Sequence, residues 1–293
     1  MCYVSAAALQ HPVAFEHILR AAEAEADAAA RAAGVSVLLA DDQLWLHDIE
    51  KLFARVWGGE AVPLTSDLMR ALLHTGNYVA VAVAEATVIG AAVGFRTDQA
   101  DTLHSHISGV DAGARGRGIG VALKLHQRAW ALHGGLTRIE WTFDPLVARN
   151  AHVNLSRLGA TSREYLRDFY GTMTDAFNEG QPSDRLLASW DLLPSPPTST
   201  PVDDLPRGPV VLDTAPGGRP HTSPLPISSH RCHALVPHDI VALRATEPER
   251  ARAWHTAARD VLEAAFAQGW VAVGCTREGW YELHREEQED LTR

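Results

Sequence analysis

The sequence predicts an α/β (α+β) protein with a mixed central sheet flanked by helices and a small C-terminal β-α-β extension. Three observations carry this. Strand-like and helix-like runs alternate along residues 35–193, and a glycine-rich turn, Arg115 to Gly120, separates an apolar strand from an apolar helix. A chain of 293 residues, 46% hydrophobic and 21% charged, can bury one sizeable core plus a smaller appendage.

Residues 1–34 read as an N-terminal helix, because His11 to Ala33 is rich in alanine and glutamate with apolar residues at helical intervals, and Gly34 stops it. Val35 to Leu39 is a short strand. Asp41 or Asp42 caps a helix on which Trp45, Leu46, Ile49, Leu52, Phe53, Val56 and Trp57 recur with a 3.6-residue period, and Thr65 or Ser66 caps the next. Two strands cross Tyr78 to Arg96, turning at Glu85 to Thr87, and a third runs from Leu103 to Val110 into the glycine turn. The helix from Gly120 ends at Gly134 and Gly135. Ile139, Trp141 and Phe143 alternate with polar residues in the next strand, a helix runs from Val147 to Gly159, and Tyr165 to Tyr170 and Leu186 to Leu192 are strands. Residues 35–193 thus form one domain. Residues 194–229 are crowded with Pro, Ser, Thr and Gly and read as a linker or surface arm. Residues 230–293 supply the extension: a strand at Ile240 to Leu243, a helix at Pro248 to Gln268 and a strand at Trp270 to Val273. So small a piece is expected to dock on the larger domain or on a second subunit, which leaves a homodimer open.

The formal charge of −10 argues against a broad nucleic-acid surface. Lysine occurs only at Lys51 and Lys124. Cys2, Cys232 and Cys275 have no paired spacing, so a reducing compartment is expected; with neither a leader-like N-terminus nor a long apolar run, the expectation is a cytoplasmic protein without a membrane anchor. His230, Cys232 and His233 lack a second ligand pair in register, so no metal is expected.

The Arg115-x-x-Gly118-x-Gly120 turn directs several backbone N–H groups and a positive helix end at one spot, which suits a diphosphate. A dinucleotide G-x-G-x-x-G from Gly116 would need glycine at Val121, and no G-K-[ST] is present. The turn resembles the diphosphate loop of the GNAT acyltransferases, whose ligand is coenzyme A, and the predicted element order resembles the GNAT fold. Leu103 to His106, Lys124 to Arg128, Trp141 to Leu146, Asn150 to Ala160, Tyr170-Gly171 and Asp184 to Trp190 are similar to a branch of predicted acyltransferases carrying a C-terminal extension.

The resemblance implies acetyl-CoA or another acyl-CoA as cosubstrate, no metal, and an amine acceptor, here a small molecule. It places the diphosphate on Arg115, Gly116, Arg117, Gly118, Ile119 and Gly120, the pantetheine arm and thioester carbonyl on the backbone of Ser108, Gly109 and Val110, and a pantetheine contact or N-cap on Asn150. Strand alternation puts His104, His106, Ser108 and Val110 on one face. His104 takes the place of the family's base, with His106 as the other choice; Glu140 and Asp144 would receive a cationic amine. The usual tyrosine that reprotonates the thiolate is replaced by Leu155, leaving Ser156, Tyr165, Tyr170 or water. An acyl carrier protein or aminoacyl-tRNA donor, and a non-catalytic acyl-CoA-binding module, are the alternatives.

Overall fold

The computed structural model describes residues 12–58, 64–171, 182–193 and 208–285. The chain divides into two compact units: the first runs to Trp141 and takes back the short segment at Asp191, and the second begins at Thr142.

In the first unit, α1 (Pro12–Ala33) leads to β1 (Ser36–Leu39), α2 (Gln43–Trp57), α3 (Ser66–His74), β2 (Tyr78–Ala84), β3 (Thr87–Arg96), β4 (Thr102–Val110), α4 (Ile119–His133) and β5 (Arg138–Phe143), whose last two residues fall in the second unit. The strands stand in chain order, antiparallel except for the parallel β4–β5 pair. Strand alternation makes two cores from one sheet. Val79, Val81, Ala91 and Val93 pack under α2 and α3 against Leu46, Ile49, Phe53 and Met69, whereas Tyr78, Ala80, Ala82 and Ala92 pack against Ile119, Ala122 and Leu123 of α4 and Ala33 of α1. Gly90 lets α4 approach: a Cβ there would lie 2.9 Å from Ile119 Cγ2. The helix starts obey the sequence, since Asp42 Oδ1 accepts from Leu44 N at 2.8 Å and Thr65 caps α3.

The β2–β3 turn contains two non-glycine residues with positive φ, Glu85 at 47° and Ala86 at 60°. The turn needs this left-handed shape to match the strand twist. Ala86→Gly is therefore expected to stabilise the protein by about 0.5–1 kcal/mol, read as a higher urea midpoint, because relief of left-handed strain exceeds the entropy that glycine loses on folding. An unchanged or lower midpoint would contradict this.

In the second unit, α5 (Ala148–Ala151) continues as a π-helical turn (His152–Arg157), followed by β6 (Thr161–Leu166), β7 (Arg185–Asp191), β8 (Val210–Thr214), β9 (Pro220–Thr222), β10 (Arg231–Leu235), α6 (Ile240–Thr246), α7 (Pro248–Ala267), β11 (Trp270–Cys275) and β12 (Trp280–Arg285). The strand order is β7-β6-β11-β12-β10-β8-β9. Ala251, Trp254, Ala258, Leu262 and Ala265 form the buried stripe of α7.

Three sequence expectations change here. Of the presumed linker, residues 194–207 lie outside the described residues, while 208–229 carry β8 and β9; Leu212 pairs with Thr222 on one side and Ala234 on the other, a ladder that the turn-rich composition concealed. Ile240 to Leu243 is helical because Asp239 Oδ1 accepts from Ala242 N at 3.0 Å, and this cap outweighs the β-branched pair at its start. The strand placed at Tyr165 to Tyr170 begins earlier, at Thr161, and ends at Leu166.

Candidate active site

β4 contains a bulge that decides where its side chains point. Val93 of β3 opposes Ile107, but Gly94 opposes Ser105, so His106 is the extra residue. Below and above the bulge the alternation is out of phase. His104 and His106 share the face of Phe95, with ring centroids 5.1 and 5.7 Å from that ring and 6.3 Å from each other. Ser108 opposes Ala92 and Val110 opposes Gly90, on the α4 face, where Val110 joins that core. The single face expected for His104, His106, Ser108 and Val110 is thus corrected to two; simple alternation cannot foresee an inserted residue.

His104 is half-buried and His106 exposed. Burial, then the neighbouring His106 and Lys124, lowers the His104 pKa below the usual imidazole value, and burial lowers that of His106. Both rings are neutral at pH 7 and able to accept a proton. In the parallel register Glu140 stands directly beside His104, and registered neighbours share a face, so a carboxylate flanks the ring.

Beyond Val110, Asp111 Oδ1 accepts from Gly113 N at 3.0 Å and folds Ala112–Ala114 into a 3₁₀ turn. Gly116 (φ +79°) and Gly118 (φ +87°) then adopt left-handed backbone that favours glycine, and α4 starts at once. The first helical amides, at Ile119, Gly120 and Val121, have no intrahelical acceptor by geometry, since Ala122 N is the first to bond back, to Gly118 O at 3.0 Å. A Cβ built at Gly116, Gly118 or Gly120 would meet nothing within 4 Å, so the concave side of the turn is open. The residues present fit an anionic diphosphate: open space, amides and a positive helix end coincide. The Arg117 side chain is not part of this cradle. Its Nη2 donates to Ala33 O at 3.1 Å and caps α1, so only its backbone remains for a ligand.

Residues 45–159 match the sequence profile described as the Acetyltransferase (GNAT) family. This segment is a GNAT acetyltransferase domain. The β4 bulge, the glycine turn and α4 all lie within this segment. Among solved structures, an N-acetyltransferase from Staphylococcus aureus Mu50 is 19% identical, with a TM-score of 0.45 over 54% of this chain and 99% of its own. The ribosomal-protein-S18-alanine N-acetyltransferase from Escherichia coli is 13% identical, with a TM-score of 0.45 over 57% and 99%. A GNAT family acetyltransferase from Elizabethkingia anophelis with acetyl-CoA bound is 13% identical, with a TM-score of 0.43 over 54% and 98%. No curated protein matches the chain.

The remaining sequence-predicted residues of the GNAT segment and its sequel lie in the second unit, and most are already engaged there. The Asp144 carboxylate accepts from Leu146 N at 2.8 Å and from Arg244 Nη2 at 2.8 Å in a largely buried pair, so it is a structural counter-ion and not a receptor for a substrate cation. Asn150 is exposed at the third position of α5; Val147 holds the N-cap place, which removes the capping alternative. Ser156 Oγ donates to Cys275 O at 2.8 Å and accepts from Cys275 N at 2.9 Å, binding the π-helical turn to β11. Leu155 is fully buried. Tyr170 OH lies 3.1 Å from Thr142 Oγ1, with the Arg185 guanidinium 5.3 Å from its ring centroid.

Tyr165 is corrected most clearly. Its hydroxyl donates to Asp184 Oδ2 at 2.8 Å, and the same carboxylate accepts from Arg259 Nε at 2.7 Å and Asp168 N at 2.9 Å; His255 Nε2 is 2.9 Å from Oδ2 without hydrogen-bond alignment. Burial pushes Asp184 up, but these donors hold it below the usual carboxylate range. Burial, reinforced by Asp184, raises the Tyr165 pKa far above that of an ordinary phenol, which makes it a poor acid. Tyr165→Phe is expected to cost about 1–2 kcal/mol of stability by denaturant titration and to leave turnover within two-fold. A hundred-fold loss of turnover in a folded Tyr165→Phe protein would restore it as the acid.

The residue that sequence reasoning missed is Lys124, on the sheet-facing side of α4. Its Nζ donates to Ser105 Oγ at 2.8 Å and stands 3.7 Å from the centroid of the Trp141 ring. A lysine on an inward helical face was the available signal.

Cys232 is buried between strands, its thiol pushed up to about 12 by burial, and His233 registers against Glu282. Among the described residues no group of three or more His, Cys, Asp or Glu side chains gathers to hold a metal, and no helix is long and apolar enough to cross a membrane.

Proposed function

We propose that this protein is an acyl-CoA-dependent N-acyltransferase that passes an acyl group, acetyl in the first instance, directly to the amine of a small molecule. The observation that carries the reading is the open glycine cradle at the start of α4, immediately following a bulged β4 whose half-buried His104 has a lowered pKa. The amides of Gly116, Gly118, Ile119 and Gly120 would hold the diphosphate of coenzyme A, and the backbone of Ser108, Gly109 and Val110 the pantetheine arm and thioester carbonyl.

In this reading Glu140 draws the ammonium toward β4 and His104 removes its proton, so that the free amine attacks the thioester carbon. The flanking carboxylate and the neutral ring are complementary: one favours arrival of the cation, the other consumes its proton. The buried cysteines lie on β10 and β11 with raised thiol pKa values, which favours direct transfer over an acyl-enzyme. Isothermal titration with CoA and acetyl-CoA tests the reading. Saturable binding of both is expected. Absence of binding would leave an acyl carrier protein or aminoacyl-tRNA as donor and overturn the coenzyme A assignment.

A further inference from the structure

Lys124 is one of two lysines among 26 basic residues, and it stands at a distinctive place. The parallel register of β4 and β5 runs from Thr102 beside Arg138 to His104 beside Glu140. Ser105 and Trp141 are the next residues on the two strands, and they are the two that Lys124 touches. Lys124 therefore marks the end of the paired stretch. It also follows Gly120 by four residues, on the same side of α4 and about 6 Å along its axis from the glycine cradle. Gln127, one turn further, is fully buried with neither side-chain amide atom bonded among the described residues, so α4 turns a row of polar groups inward here.

The reaction proposed above needs a proton for the departing thiolate. Of the candidate places, Leu155 is apolar, Ser156 holds Cys275, Tyr165 is bound to Asp184 and Tyr170 OH lies 3.1 Å from Thr142 Oγ1, so water is the other donor that Lys124 competes with. Resting on the acyl-CoA reading, we propose that Lys124 is the proton donor to the CoA thiolate. As the amine nitrogen bonds to the acyl carbon, the carbon–sulfur bond breaks, sulfur keeps the electron pair and takes a proton from Lys124 Nζ, and the proton shed by the amine goes to His104. His104 then releases its proton to solvent and Lys124 recovers one, so both return to their starting state.

The electrostatics agree with this role. Burial pushes the Lys124 ammonium down to about 7. The face of Trp141 favours the charged form and opposes that effect without cancelling it. The group can release a proton near neutrality to a thiolate whose ordinary pKa is about 8.5. Arginine, abundant elsewhere in the chain, could hold the same contacts but could not give up a proton. The titratable group coupled to it is His104 on β4.

The test uses acetyl-CoA with hydroxylamine, whose nitrogen is already neutral at pH 7 and needs no base. Thiol release is followed for wild type, Lys124→Met and Lys124→Arg over pH 5.5–9, with CoA affinity measured in parallel. The expected result is a loss of about 10²-fold or more in kcat for both variants, with CoA affinity within a few-fold. The wild-type rate should fall as pH rises through the Lys124 pKa, and both variants should lack that limb. Lys124→Arg keeps the positive charge and a hydrogen-bond donor, so a role confined to packing would be rescued by it. Full rates or an unchanged alkaline limb in either variant would overturn the assignment. Wild-type protein that binds acetyl-CoA but releases no thiol with any amine would instead sink the transferase reading, and the assignment with it.

Discussion

Replacing His104 by alanine is expected to lower kcat/KM for the amine by about 10² to 10⁴, with CoA affinity unchanged within a few-fold. The ring shares the Phe95 face with His106 and stands in register with Glu140, whereas the cradle at Gly116 to Gly120 is built from backbone that the substitution does not touch. Its pKa is depressed by burial and by His106 and Lys124, and a base acts only when unprotonated. The wild-type rate should therefore rise with pH through an apparent pKa below 6.5 and level off above it, and His104→Ala should lose that acid limb. Amines of low basicity, already free of their proton, should be rescued preferentially. Full activity with the same pH profile would transfer the role to His106, which the bulge keeps on the same face and leaves more exposed.

Gly120→Glu is expected to weaken CoA binding at least 100-fold by titration while thermal stability stays within a few degrees. A side chain at this position meets nothing within 4 Å in the free protein, and the residue has ordinary helical backbone, so the fold tolerates the change. A carboxylate there occupies the space proposed for the diphosphate and adds like charge where the helix end favours an anion. Gly118→Glu would also disturb the ligand, but at φ +87° it adds backbone strain and separates the two effects less well. Retained affinity in Gly120→Glu would place the ligand elsewhere.

Much of the first unit was legible because its signals are local. Asp42 and Thr65 cap the helices expected of them, Val79 and Val81 alternate with Tyr78 and Ala80 into two cores, and the glycine turn joins the expected strand to the expected helix. What escaped depends on contacts between residues distant in sequence. The bulge at His106 is defined only by its partners on β3. The roles of Asp144, Ser156 and Tyr165 were fixed by Arg244, Cys275 and Asp184, separated from them by 100, 119 and 19 positions. A polar residue read alone looks available for chemistry; its partner shows that it is holding the fold. Lys124 escaped for the converse reason, since its place on the inward face of an apolar helix shows no partner until Ser105 and Trp141 enclose it.

The most direct measurement of the central claim is release of free thiol from acetyl-CoA by the wild-type protein across a panel of small amines, with the product mass determined in the same sample. Acyl transfer through a ternary complex predicts amine-dependent thiol release at neutral pH, one acylated amine formed for each thiol. Saturable binding of acetyl-CoA without amine-dependent release would contradict it and leave a module that holds acyl-CoA without transferring the acyl group.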